Sequence, residues 1–110
     1  MPLAPIVLFC YNRVLHLQQI VNALLLNEDA ASSDLIVYSD GVRNEQDVVK
    51  AIRKYIHQIS GFSSVKIIER PFNLGLARSI IDGVITVVNQ FGKIIVVEDD
   101  IEAGPDFYSL

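Results

Sequence analysis

The sequence predicts an α/β domain, an open and mostly parallel sheet of about four strands with helices on both faces, in the Rossmann-like manner. Three observations carry that expectation. The hydrophobic period switches repeatedly between short continuous apolar runs and stripes of 3.6-residue spacing. The apolar runs do not alternate with polar residues, as in strands covered on both sides. Run and stripe also follow each other strictly, which favours helical crossovers between parallel strands over hairpins.

Ile6-Val-Leu-Phe-Cys-Tyr11 is the first run and predicts a strand buried on both faces. Val14, Leu17, Val21, Leu24 and Leu25 then recur at helical spacing. Leu35-Ile-Val-Tyr-Ser39 is the second strand, stopped by Asp40-Gly41. Val48, Val49, Ile52, Ile56 and Ile59 form a second helical stripe, with Asn44 placed to cap its start and Gly61 its end. Val65-Lys-Ile-Ile-Glu69 is a third strand, broken by Pro71. Ala77, Ile80, Ile81, Val84 and Val88 mark a third helix, closed by Gly92. Ile94-Ile-Val-Val97 is the fourth strand and runs directly into Glu98-Asp99-Asp100. Pro105-Asp-Phe-Tyr-Ser-Leu110 reads as the first turn of a further helix, so the 110 residues are expected to be one region of a longer chain.

Composition narrows the classes of function. Hydrophobic residues make up 51% and charged residues 20%, which suits one globular core and excludes a disordered chain. Thirteen acidic residues against nine Lys and Arg give a net charge of −4, which argues against nucleic acid or an anionic membrane as a partner. One cysteine cannot form an internal disulfide, and the apolar run at Ile6–Tyr11 is too short to cross a bilayer. No basic stretch precedes that run, so a signal peptide is not expected and a cytoplasmic setting is.

In open α/β sheets ligands bind beyond the carboxyl ends of the strands. Asn12-Arg13, Asp40-Gly41, Arg70 to Arg78 and Glu98-Asp99-Asp100 should therefore share one edge of the sheet. The acidic triplet is the strongest signal. Adjacent carboxylates at the end of a buried strand repel by about a few kcal/mol per close pair at an effective dielectric near 20. A divalent cation removes that penalty, and hard oxygen ligands suit Mg²⁺ or Mn²⁺. The bland alternative is a solvated acidic loop. Asp40 can accept from a ribose or base edge, or simply close an Asx turn. Asn73-Leu-Gly75 suggests a turn with Gly75 at positive φ. Arg13 and Arg78 suit phosphate or base contacts, with surface ion pairing as the alternative. His16, His57 and Cys10 lack metal-ligand spacing, and neither a P-loop, a dinucleotide fingerprint nor a nucleophile elbow occurs.

Four segments in this order carry a resemblance. Pro5-Ile-Val-Leu-Phe-Cys-Tyr-Asn-Arg13, Ile36-Val-Tyr-Ser-Asp-Gly41, Asn73-Leu-Gly-Leu-Ala-Arg78 and Val96-Val-Glu-Asp-Asp-Ile-Glu102, continuing into Pro105-Asp-Phe-Tyr108, together resemble the N-terminal nucleotide-sugar-binding half of GT-A glycosyltransferases. Family 2 enzymes and the N-acetylglucosaminyltransferase I type are the most similar groups. The resemblance covers essentially the whole chain. It implies that Glu98-Asp99-Asp100 is a DXD-type motif in which Asp100 binds Mn²⁺ or Mg²⁺ directly, while Glu98 and Asp99 contact ribose or metal-bound water. It implies that Asp40 holds the uracil end of a UDP-sugar. Tyr11, Asn12 and Arg13 would lie beside the nucleotide, as would Asn73, Gly75 and Arg78.

Val14 departs from the pattern, since many family 2 members carry Pro there. Inverting sugar transfer also needs a carboxylate general base, which the resemblance places after the metal motif, beyond Leu110. The 110 residues are therefore expected to bind a nucleotide-sugar donor without transferring it to an acceptor. Self-association is expected as well, through an uncovered sheet edge and apolar face. Two alternatives stand beside this reading: a non-catalytic nucleotide-binding module of the same fold, and a Mg²⁺-dependent receiver- or phosphatase-like protein. The second is disfavoured because Tyr11-Asn12-Arg13 supplies no acid after the first strand.

Overall fold

The computed structural model describes residues 4–43, 46–92 and 94–98. Their elements run β1 (Ile6–Cys10), α1 (Val14–Leu25), a 3₁₀ turn (Ala30–Ser32), β2 (Asp34–Ser39), α2 (Gln46–Ile56), β3 (Ser64–Glu69), α3 (Leu76–Phe91) and β4 (Ile95–Glu98). The four strands form one all-parallel open sheet in the order β3-β2-β1-β4. The α/β class, the parallel sheet and the helices on both faces are as the sequence predicts.

Two apolar layers hold the helices to the sheet. On one face Leu17, Ile20 and Val21 of α1 and Ile52 and Ile56 of α2 pack on Leu8, Cys10, Leu35 and Val37. On the other face Val87 of α3, with Ile80 and Val84, packs on Val7, Phe9, Ile36, Tyr38 and Val96. The large side chains among these that are fully buried contribute roughly 1.5–3 kcal/mol each. Successive residues of β1 and β2 thus serve opposite layers, which is why their sequences read as unbroken apolar runs.

The chain winds from β1 through β2 to β3 in one direction with its helices on one face. It then returns past β1 to β4 with α3 on the other face. Direction and face reverse together, so one hand of crossover serves all three connections. The reversal falls at β1, which places the switch point beside its carboxyl end.

Boundaries differ from expectation where tertiary contacts take over. The second helix ends at Ile56 rather than continuing through Ile59, because the last turn tightens: Gln58 N–H donates to Tyr55 O (2.9 Å) and Ile59 N–H to Ile56 O (3.3 Å). Gly61 therefore belongs to the following loop. The first strand stops at Cys10, one residue before Tyr11. β3 is not buried throughout: it forms one edge of the sheet, with Ser64, Lys66 and Glu69 exposed, and Lys66 is the kind of residue that discourages edge pairing. The fourth strand is shifted by one residue, since its ladder begins at Ile95 opposite Ile6 and ends at Glu98 opposite Phe9. The first acid of the triplet thus lies within the ladder. Gly92 closes α3 in the left-handed conformation, its N–H on Val88 O at 2.7 Å, as predicted. The Asn44 cap and the turn expected at Pro105–Leu110 lie outside the described residues.

Candidate functional site

A small cleft of about 160 Å³ opens at the carboxyl ends of β1 and β2, beside the start of α3. Tyr11, Asp40, Asn73 and Gly75, four residues singled out from sequence, all line it. Phe9 and Cys10 form the strand-side wall, while Arg43 and Ser79 complete the lining. A larger groove of about 590 Å³ lies elsewhere, at the amino ends of β1 and β4 against the end of α1, and its lining by Ile6, Ala23, Leu24 and Ile95 is mostly apolar.

Asp40 is the best-anchored group of the cleft. It follows β2 directly and is only 5% exposed. Its N–H donates to Cys10 O (3.0 Å), which extends the β1–β2 ladder by one bond. Its Oδ1 accepts the N–H groups of Gly41 and Leu74, each at 2.9 Å, and its Oδ2 accepts the Gly75 N–H at 3.1 Å. Asn73 adds a second tie between the same segments, its Nδ2 donating to Gly41 O at 2.9 Å. The segments approach so closely that a Cβ on Gly41 would sit 2.3 Å from the carbonyl carbon of Phe72. Glycine is the residue that this approach admits. Gly75 has φ of 80°, the positive value expected of it, and is the N-cap of α3.

Two arginines brace this floor from opposite sides. Arg53 of α2 directs Nη2 to the carbonyls of Asp40 (3.1 Å) and Arg70 (2.9 Å) and Nε to Ser39 Oγ (3.1 Å). Arg70, just after β3, lies over the Tyr38 ring at 4.6 Å. It also pairs with Asp82 of α3 at 2.9 Å and donates to Ser79 Oγ at 3.2 Å. Burial pushes the Tyr38 hydroxyl above its ordinary pKa, the Arg70 charge opposes that rise, and Asp82 adds to it. Tyr38 in turn stacks on Phe9 with ring centroids 5.2 Å apart.

The remaining sequence candidates sit around the cleft without lining it. Arg13 is exposed at the N-cap of α1 and Asn12 is half-buried beside it. Arg78 is exposed in the first turn of α3. Glu98 ends β4 at the register position opposite Phe9, which itself forms part of the cleft wall. Asp99 and Asp100, on which the metal expectation rests, lie outside the described residues. Among the described residues no group of three or more His, Cys, Asp or Glu is placed to hold an ion.

Sequence reasoning missed Arg43, Arg53 and Ser79. Arg43 donates its backbone N–H to the Tyr11 hydroxyl oxygen (3.1 Å), linking the loops that follow β1 and β2. A weak signal existed for Arg53: it is a cation flanking the apolar stripe of Val49, Ile52 and Ile56. Arg43 and Ser79 carry no comparable mark.

The fold and cleft define a Rossmann-like α/β protein with a small pocket, lined in part by Asp40, Arg43, Asn73 and Ser79, at the carboxyl edge of a parallel sheet. No protein-family model matches the chain, and a search of curated proteins gave no match. Among the described residues no helix is long and apolar enough to cross a membrane.

Proposed function

We propose that this chain is the donor-binding region of a metal-dependent glycosyltransferase of the GT-A type, taking a nucleotide-diphospho-sugar, with UDP-sugars favoured. One observation carries the reading: Tyr11, Asp40, Asn73 and Gly75, far apart in sequence, converge on one cleft at the carboxyl ends of β1 and β2. The register of β4 against β1 brings the start of the acidic triplet to that same edge. This is where parallel α/β sheets bind nucleotides.

In this reading Tyr11 and Asn73 border the nucleoside, while Arg13, Arg43 and Arg78 supply positive charge at the rim for the diphosphate. Asp100, with Asp99, would hold Mn²⁺ or Mg²⁺, which as a Lewis acid neutralises charge on a leaving diphosphate. Thermal unfolding with UDP, with Mn²⁺ and with both tests the reading, with Asp100→Asn as control. A ligand at about 100 times its Kd adds about 2.7 kcal/mol of stability, a rise on the order of 10 °C for a domain of this size. The expected result is a rise that needs UDP and Mn²⁺ together and disappears in Asp100→Asn. No rise with UDP, GDP or dTDP, alone or with Mn²⁺, would overturn it.

A further inference from the structure

We infer that Asp40 is a positioning residue, whose carboxylate latches the loop at Asn73–Gly75 onto the end of β2 rather than reading the base of a nucleotide. The latch itself stands on hydrogen-bond geometry alone; only its consequence for nucleotides rests on the proposed donor site.

The argument begins with the capacity of the group. An ionised carboxylate offers about four acceptor positions. Three are taken by backbone amides: Gly41 and Leu74 on Oδ1, Gly75 on Oδ2. Two of those amides come from a loop 34 and 35 residues away in sequence. That loop has no ladder of its own, so those N–H groups depend on Asp40 for a partner. Charge suits the task, because the carboxylate sits at the amino end of the sixteen-residue helix α3, where the exposed amides favour an anion.

Burial points the same way. Asp40 is fixed through its own N–H to Cys10 and has Gly41 wedged against the Phe72 backbone. Although Asp40 lines the cleft, any turn of its carboxylate away from these amides would release the loop that forms the opposite wall. Its loss would therefore deform the pocket for every nucleotide alike and leave discrimination between bases in place.

Amide hydrogen exchange followed by NMR tests the latch directly. In the unsubstituted protein, Leu74 and Gly75 should exchange slowly despite lying outside regular structure. Asp40→Asn keeps one acceptor oxygen but turns an N–H₂ towards a donor. It should accelerate exchange at Gly75 and Leu74 by roughly ten- to a hundredfold, while Val7, Leu8 and Phe9 of β1 stay protected. Asn73→Ala, which cuts only the second tie, should leave Leu74 and Gly75 slow. Titrations with UDP, GDP and dTDP in the presence of Mn²⁺ supply the other readout: Asp40→Asn should weaken all three by the same factor.

Fast exchange at both amides in the unsubstituted protein would overturn the latch. So would unchanged exchange in Asp40→Asn, or a loss confined to the uracil nucleotide. If Asp40→Asn does not fold, the exchange rates of the unsubstituted protein and of Asn73→Ala decide. If the unsubstituted protein binds no nucleotide, the donor-site reading fails, while the exchange rates still decide the latch.

Discussion

Gly83 sits in the middle of α3, directly above the stacked rings of Phe9 and Tyr38. A Cβ there would lie 2.7 Å from Cε1 and Cζ of Phe9 and 3.2 Å from Cε2 of Tyr38. The obstructing atoms belong to buried, mutually stacked rings. Gly83→Ala therefore sets two effects against each other. Alanine improves the helix by about 0.5–1 kcal/mol relative to glycine. Forcing a methyl group into a filled core costs about 1–3 kcal/mol. The second wins, for a net loss of up to about 2.5 kcal/mol and centred on about 1 kcal/mol, or roughly 4–8 °C in Tm.

Urea unfolding measures this as a lower midpoint with an unchanged slope. Because Phe9 also walls the cleft, the proposed donor site carries a second expectation: any affinity for UDP with Mn²⁺ should fall in the same variant. Phe9→Leu combined with Gly83→Ala should recover part of the loss, a coupling of at least about 0.5 kcal/mol in a double-mutant cycle. A Gly83→Ala protein as stable as its parent, or more so, would refute the claim that α3 is seated on the sheet through this glycine.

Three further outcomes follow from the same contacts. Arg53→Met leaves the carbonyls of Asp40 and Arg70 without their charged donor and should lower stability by about 2 kcal/mol, measured by thermal unfolding; no change would mean the brace is ornamental. Burial raises the hydroxyl pKa of Tyr38 and of Tyr55 above 10.0, so the unfolded chain loses those protons first. Stability should therefore be full below about pH 10 and fall as pH rises through the native values, with a smaller fall in Tyr38→Phe. Finally, α3 leaves Ile81 60% and Ile85 55% exposed on one flank. Light scattering should show a mass that rises with concentration, reduced by Ile81→Lys with Ile85→Lys; a constant monomer mass would remove the expectation.

Much of this architecture was legible because burial on both faces leaves a mark in residue type. β1 and β2 announced themselves as unbroken apolar runs, and Gly75 and Gly92 as breaks that turned out to carry positive φ. The edge position of β3 was not legible, since Val65, Ile67 and Ile68 read the same whether or not a further strand covers them. The cleft was half legible. Asp40, Asn73 and Gly75 stood out as polar or glycine residues after strands, but nothing in the sequence pairs residue 40 with residue 74. The partners are backbone amides, which every residue type except proline supplies, so such contacts leave no signature. Arg53 carried only the weak mark of a cation beside an apolar stripe, because most of its acceptors are carbonyl oxygens.

The Arg53 clasp also has a meaning in time. Its guanidinium gathers oxygens from Ser39, Asp40 and Arg70, and Asp40 in turn waits for the amides of Leu74 and Gly75. During synthesis β1, α1 and β2 emerge before the segment that supplies the far wall of the pocket. Only when the segment up to Ser79 has left the ribosome can all the parts meet. Closure of the pocket thus waits on β1, β2 and β3 but not on β4, which follows Ser79 in the chain and joins the sheet beside β1.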